Sequence, residues 1–360
     1  MNYTGRQNRL RALLGSRSID AILVRKKENI SYLAGTKGAD AILFFSGREN
    51  FLLTDSRCEE EYRQNVKGCR IVITEGRDAC ACIEGISRKA RSQRIGFESA
   101  NFSYAEYTDL KKKLRKAVLV PVKGVVESLR TIKDKDEVRL IRKACRDGSD
   151  VMDYAMRAVM PGLSEQSVKN RVASYIAEKG IDKAGFDIIV ASGKNASLPH
   201  ASASGKRIKK GEMVVIDLGT MNCGYNSDLT RTVFLGRIDR KYLSIYNIVL
   251  DAQKKAIENI KPGVPAKHID RISRQYISDK GLGRYFIHSL GHGIGLETHE
   301  APRVSKASAG ILRKNMTLTV EPGVYIPGWG GIRIEDVALV TENGCEVLTK
   351  GCKKDHAGRG

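Results

Sequence analysis

Val159-Met160-Pro161-Gly162, followed by Tyr175-Ile176-Ala177-Glu178-Lys179-Gly180-Ile181, returns 101 residues later as Ile260-Lys261-Pro262-Gly263 and Tyr276-Ile277-Ser278-Asp279-Lys280-Gly281-Leu282. Each copy reads as a helix halted by Pro-Gly, then a second helix with a Gly stop. Proline cannot continue a helix, and glycine accepts the left-handed turn that ends one. Ser164 is placed to cap the second helix of the first copy, with Glu165 at its positive end. The correspondence continues downstream with small changes of spacing. His200 answers to His299, Val215-Ile216-Asp217-Leu218-Gly219 to Thr319-Val320-Glu321-Pro322-Gly323, and Asp228 to Glu335. Two halves that each deliver acids on strands predict a duplicated fold with a site at its pseudo-twofold centre.

The acids carry the chemistry. Asp217 lies inside Val214-Val215-Ile216-Asp217-Leu218 and Glu321 inside Leu318-Thr319-Val320-Glu321. An ionised carboxylate in an apolar strand is costly unless a cation or donors compensate it. No Lys or Arg lies within four residues of either acid, so no local ion pair is at hand. Asp228 follows a turn at Gly224-Tyr225-Asn226-Ser227 and can return beside Asp217 in a hairpin. Glu335, within Gly331-Ile332-Arg333-Ile334-Glu335-Asp336-Val337, faces the Glu321 strand in the same way. His292 comes from the Gly-rich segment His288-Ser289-Leu290-Gly291-His292-Gly293-Ile294-Gly295. Four carboxylates and one neutral imidazole carry a charge of −4, which two divalent cations cancel. Oxygen-rich ligation with one His suits Mn, Co or Fe, and Zn can occupy such sites. Any one acid alone would read as a satisfied hydrogen bond or salt bridge; the five residues together read as a metal centre.

Around this core the chain is ordinary. Its 360 residues are enough for about two domains. With 62 Lys+Arg against 41 Asp+Glu the net charge is 62 − 41 = +21. That excess suggests a polyanionic partner, but it is spread evenly: residues 1–130 hold +10 and residues 131–360 hold +11. Clusters such as 111–116 and 206–210 read as solvated faces, so nucleic acid is not the expected partner. The N-terminus has no apolar core of a signal peptide, and runs such as 41–45 are too short to span a bilayer. The eight cysteines contain no Cys-x-x-Cys pair, which favours free thiols in a cytoplasmic protein. Gly291–Gly295 is not a full dinucleotide fingerprint, and Ser192-Gly193-Lys194-Asn195 lacks the spacing of a phosphate loop. His268 reads as a surface histidine.

Residues 1–125 alternate strand-like runs (20–24, 41–45, 51–54, 70–74) with helical ones (57–65, 79–91, 104–116), as a small α/β domain would. The polar stretch 122–135 reads as the connection, and a long amphipathic helix over 138–159 follows it. Residues 126–350 then form the duplicated domain, and 351–360, with His356, read as a basic, disordered tail.

Several of these motifs together are specific. Ala191-Ser192-Gly193 … Leu198-Pro199-His200, the segment 215–232 around Asp217 and Asp228, Gly291–Pro302, Val320-Glu321-Pro322-Gly323 and Gly331–Asp336 resemble the Xaa-Pro peptidase branch of the pita-bread metallopeptidases. Prolidase and aminopeptidase P belong to that branch. Upstream, Glu28–Gly35 and Thr54-Asp55-Ser56-Arg57 resemble its creatinase-type N-terminal domain. The implied fold is α+β: a creatinase-type N-terminal α/β domain followed by a pseudo-twofold duplicated pita-bread catalytic domain. The resemblance implies that Asp217, Asp228, His292, Glu321 and Glu335 hold two metals, Mn or Co foremost, with Asp228 and Glu335 bridging. It makes Glu321 the general base and His200 and His299 catalytic through the tetrahedral intermediate and proton relay. His288 and Arg333 would shape the substrate pocket. The implied substrates are peptides with proline at the second position, and the implied assembly is a homodimer. The alternative is a catalytically inactive peptide- or nucleic-acid-binding protein on the same fold. Such relatives have lost ligand residues, and this chain keeps all five.

Overall fold

The strands β1 (Ala21–Val24), β2 (Ile42–Ser46), β3 (Phe51–Thr54), β4 (Arg70–Ile73), β5 (Arg94–Glu98) and β6 (Val118–Val122) make one sheet ordered β4-β3-β2-β1-β5-β6. Central β1, Ala-Ile-Leu-Val, is buried along its whole length, as a strand covered on both faces must be. The computed structural model describes residues 1–36, 40–74, 78–237, 239–352 and 354. The chain folds as two compact units, Met1–Arg130 and Thr131–Gly360. Helices α1 (Tyr3–Gly15), α2 (Lys27–Ala34), α3 (Glu59–Asn65), α4 (Ala79–Ala90), α5 (Tyr104–Lys113) and α6 (Val125–Arg130) complete the first unit.

Five elements of this unit, α1, α2, β5, β6 and α6, lie outside the runs expected from sequence, and three of them have a local reason. The inward positions of α1 include Arg6 and Gln7, so no apolar stripe marks it. Strand β6 contains Pro121, which an edge strand tolerates. The stretch 122–135 is not an open connection: it contains α6, whose Val125, Val126 and Arg130 are buried, with Arg130 donating to Asn29 Oδ1 at 2.7 Å.

The second unit opens with α7 (Lys135–Ala158) and α8 (Glu165–Glu178). Strands β7 (Lys183–Ala184), β8 (Ile189–Ser192), β9 (Met213–Leu218), β10 (Thr220–Asn222), β11 (Tyr225–Asn226) and β12 (Leu229–Phe234) follow. Then come α9 (Arg240–Glu258) and α10 (Ala266–Asp279), and strands β13 (Gly291–Gly293), β14 (Glu300–Val304), β15 (Thr317–Val320), β16 (Gly323–Ile326), β17 (Gly330–Arg333), β18 (Asp336–Val340) and β19 (Cys345–Val347). The duplication is structural. Helices α8 and α10 each have 14 residues, and Gly162 and Gly263 ahead of them share left-handed backbone at φ 88° and 86°. The Ser164 hydroxyl accepts from Ser167 N, capping α8. Each half carries an antiparallel pair, β9–β12 within β12-β9-β8 and β15–β18 within β14-β13-β15-β18-β19.

One expected turn moves. Tyr225 and Asn226 are paired to β10, so the chain reverses at Cys223-Gly224, and Asp228 immediately precedes β12. In the other pair Glu335 likewise sits just before β18, but Glu321, expected inside its strand, falls just after β15, whereas Asp217 lies within β9. Packing between these strands is close enough to exclude side chains. A Cβ on Gly291 would lie 2.1 Å from Thr319 O, and one on Gly293 2.1 Å from Ala301 O.

Near the C-terminus, Cys352 is buried and its carbonyl accepts from Arg231, while Lys354 Nζ reaches Asp336 at 2.5 Å and Gln253 Oε1 at 2.7 Å. These two residues of the expected tail are anchored; residues 353 and 355–360, with His356, lie outside the described residues. Among the described residues no helix is long and apolar enough to cross a membrane, and all eight cysteines are free thiols.

Candidate metal centre

The two acidic pairs line one cavity of about 690 Å³. All nine residues singled out from sequence line it: Asp217, Asp228, His292, Glu321, Glu335, His200, His299, His288 and Arg333. Asp228, His292 and Glu335 each offer a ligand atom within 4.8 Å of the others. His292 Nε2 lies 3.2 Å from Glu321 Oε1 and 3.7 Å from Asp228 Oδ2. Its Nδ1 donates to Gly293 O at 3.1 Å, which turns Nε2 toward the carboxylates. His200 and His299 are less buried than His292, and the His299 ring is centred 4.1 Å from that of His292.

Asp217 belongs to a second chain of contacts. Arg333 donates to Asp217 Oδ2 at 2.6 Å, to Tyr325 Oη at 2.7 Å and to Thr230 Oγ1 at 3.1 Å. Thr230 in turn donates to Glu335 Oε2 at 2.7 Å. Tyr325 donates to His288 Nε2 at 3.0 Å, since His288 Nδ1 already serves Ser289 O at 2.7 Å. One guanidinium thus fixes acids from both halves. Sequence reasoning did not find Tyr325. Its signal is the glycine opposite it in register, Gly331, whose added Cβ would lie 2.8 Å from the Tyr325 ring.

The carboxylates of the site outnumber its cations, Arg333 being the one Lys or Arg near them whose contact reaches Asp217. Burial raises Asp228 and Glu335 well above the usual carboxyl range, and neighbouring carboxylates push both further in the same direction. For Glu321 burial opposes ionisation, but the hydrogen bond and charge of His292 prevail and bring it down to about 2. His292 shows the reciprocal effect: burial pulls it down, yet Glu321 and Asp228 lift it to about 9. His288 and His299 are lowered, by burial first. Among the described residues, buried Asp217 Oδ1 has no hydrogen-bond partner. Four clustered carboxylates, an imidazole nitrogen aimed at them and an orphaned carboxylate oxygen fit divalent cations, whose charge would neutralise the group.

A stability test follows from these shifts. The raised groups Asp228, Glu335 and His292 hold protons that the unfolded chain releases, so each loses stabilisation as pH rises. The His292 contribution is complete below its ordinary 6.5 and is lost through about 9. The lowered His288 and His299 act with the opposite sign, but only below 6.5, and lowered Glu321 acts only in acid. Thermal unfolding in chelator should therefore show melting temperature falling from neutral pH to about 9, and a divalent metal should abolish the slope. A flat profile in chelator would refute this electrostatic account.

Comparison with known proteins places this geometry. The model of metallopeptidase family M24 matches residues 139–342, and that of the creatinase/prolidase N-terminal domain matches residues 6–132. The chain is 40% identical to the Xaa-Pro dipeptidase of Pyrococcus horikoshii over 92% of this chain and 93% of that protein. The structure of the Xaa-Pro dipeptidase from Bacillus anthracis superposes with a TM-score of 0.95 at 37% identity, covering 98% and 99% of the two chains. The X-Pro aminopeptidase from Thermotoga maritima MSB8 gives 0.88 at 32% identity, covering 96% and 97%.

Proposed function

The chain belongs to metallopeptidase family M24, in its two-part form with a creatinase/prolidase N-terminal domain, and from that premise we propose that it is an Xaa-Pro dipeptidase. The observation that carries this reading is the convergence of Asp217, Asp228, His292, Glu321 and Glu335 on one cavity, with Asp217 Oδ1 lacking a protein partner. The dipeptide preference, over longer X-Pro peptides, is supported by the names of the relatives at higher identity. Those relatives, with all four acids and His292 in place here, also favour an enzyme over an inactive binding protein.

In this reading the five residues would hold two divalent cations, with Mn or Co preferred by the oxygen-rich set. When bound, the cations supply Lewis-acid polarisation of the scissile carbonyl and acidify the attacking water. Glu321, held low by its surroundings, is ionised at neutral pH and can accept the proton of that water. His299, lowered by burial and by the charge of His292, is neutral and can hydrogen-bond the substrate carbonyl. His200 faces the same cavity from the other half and can steady the opposite side of the tetrahedral intermediate or relay a proton. Arg333 holds Asp217 in place, while Tyr325 fixes the orientation of His288 against the substrate. An X-Pro bond is a tertiary amide without an N–H, so such a pocket must position the substrate by its carbonyl, amine and ring.

The test is hydrolysis of X-Pro dipeptides and X-Pro tripeptides by protein loaded with Mn or Co, before and after chelation. Metal-dependent cleavage of dipeptides, with tripeptides poor, is expected. Turnover of the longer peptides at equal rate would instead assign an aminopeptidase, and cleavage of neither would sink the proposal.

A further inference from the structure

Away from the acids, a second cavity of about 790 Å³ opens beside the start of α10. Lys267, His268, Arg271, Arg274 and Lys306 line it, with Asp270 as the one carboxylate. Asp270 is already spent. It is fully buried and accepts from Arg274 Nε at 2.9 Å, from Arg274 Nη2 at 2.8 Å and from Leu290 N at 3.1 Å. Among the described residues Lys267, Arg271 and Lys306 enter no ion pair. Arg271 Nη2 donates to His268 Nδ1 at 2.9 Å, so the half-buried histidine that reads from sequence as a plain surface residue orients a cation at this cavity. Like charges converging on a concavity raise its potential, and an anion entering it relieves their repulsion.

We propose that this cavity binds a phosphate-bearing small molecule and that its occupancy is transmitted to the candidate metal centre through Arg274. The volume lies in the range of small-molecule sites and leaves room for more than a bare phosphate. Cations gathered in a hollow, not drawn out along a groove, suit a compact anion better than a polynucleotide. The link is built from hydrogen bonds. Arg274 Nη1 donates to Phe286 O at 2.8 Å and Nη2 to His288 O at 2.8 Å, while Asp270 holds Leu290 N. The next residues are Gly291 and His292. An anion drawing on Arg274 therefore acts on the segment that delivers His288 and His292. The transmission rests on the peptidase reading; the binding does not.

Calorimetric titration of the metal-loaded full chain with glucose 6-phosphate, and separately with inorganic phosphate, tests it. Saturable binding of the sugar phosphate is expected, weakened at least about tenfold in the K267A/R271A/K306A variant, a change of about 1.4 kcal/mol. Equal affinity for inorganic phosphate, with the same loss in the variant, supports the site and names the free anion as its occupant. Affinity that survives the triple substitution lies elsewhere, at the metals, and overturns the proposal. So does binding of an oligonucleotide without binding of either phosphate probe. With X-Pro dipeptide as substrate, the occupied site should change kcat/KM about fivefold or more in the wild type and not in the variant. Binding with no such change would overturn the transmission. Absence of X-Pro cleavage would remove the peptidase reading while leaving the binding result standing.

Discussion

Glu321→Gln should lower kcat/KM for X-Pro dipeptides by about 100- to 10,000-fold, the span that a positioned general base contributes. The loss should fall on kcat, because Glu321 is assigned a role in moving a proton and not in holding the peptide. A second readout separates this from general damage. In the metal-free protein Glu321 is the hydrogen-bonded counter-charge that lifts His292 to about 9. Neutral Gln removes that charge, so the His292 titration, followed by NMR in chelator, should move back toward its ordinary 6.5. Bound metal should drop as well, since Glu321 is also one of the five proposed ligands. Activity retained within an order of magnitude would remove Glu321 from the proposed mechanism.

Lys133→Met should be strongly destabilising although it lies outside the acidic site. Lys133 Nζ meets Glu300 Oε1 at 2.6 Å with side chains 1% and 4% exposed. Removing one partner of a buried pair costs about 3–5 kcal/mol, because the attraction within the pair is lost while the cost of burying the remaining side chain is not. For a unit of this size that corresponds to a fall in melting temperature of roughly 6–20 °C. Activity should fall too, since Glu300 follows His299 directly and begins β14, in register with Gly293 of β13. The double variant K133M/E300M should recover much of the stability, as apolar replacements of buried pairs commonly do. Differential scanning calorimetry of the three proteins decides it. A single variant that melts with the wild type would show that the pair is not a strut.

How much of this can be read from sequence depends on how locally each residue is determined. The duplication is legible because its signals are local. Pro-Gly stops, left-handed glycines and a 14-residue helix in each half repeat in register. Asp217 is legible because a charge inside Val-Val-Ile-Asp-Leu violates the pattern around it. The first unit is partly legible, failing where polar Arg6 and Gln7 fill inward positions and where Pro121 occupies an edge strand. Tyr325 looks like one more buried aromatic until the hairpin sets it against Gly331 and within reach of Arg333 and His288. Lys133 and Glu300, 167 residues apart, carry no local sign in the sequence that marks them as a pair. Only tertiary structure reveals that each is buried, and burial is what makes the pair matter.

The close packing at Gly291 and Gly293 bears on how this chain can vary over generations. Every amino-acid replacement of a glycine codon adds a Cβ, and at these two positions that atom would stand 2.1 Å from a backbone oxygen. Neither carbonyl can swing aside as a side chain would. Nonsynonymous drift at both codons is therefore closed off by sterics before selection on catalysis acts. Descendants that acquire a different metal or substrate must do so through the side chains around β13, with these two glycines inherited unchanged.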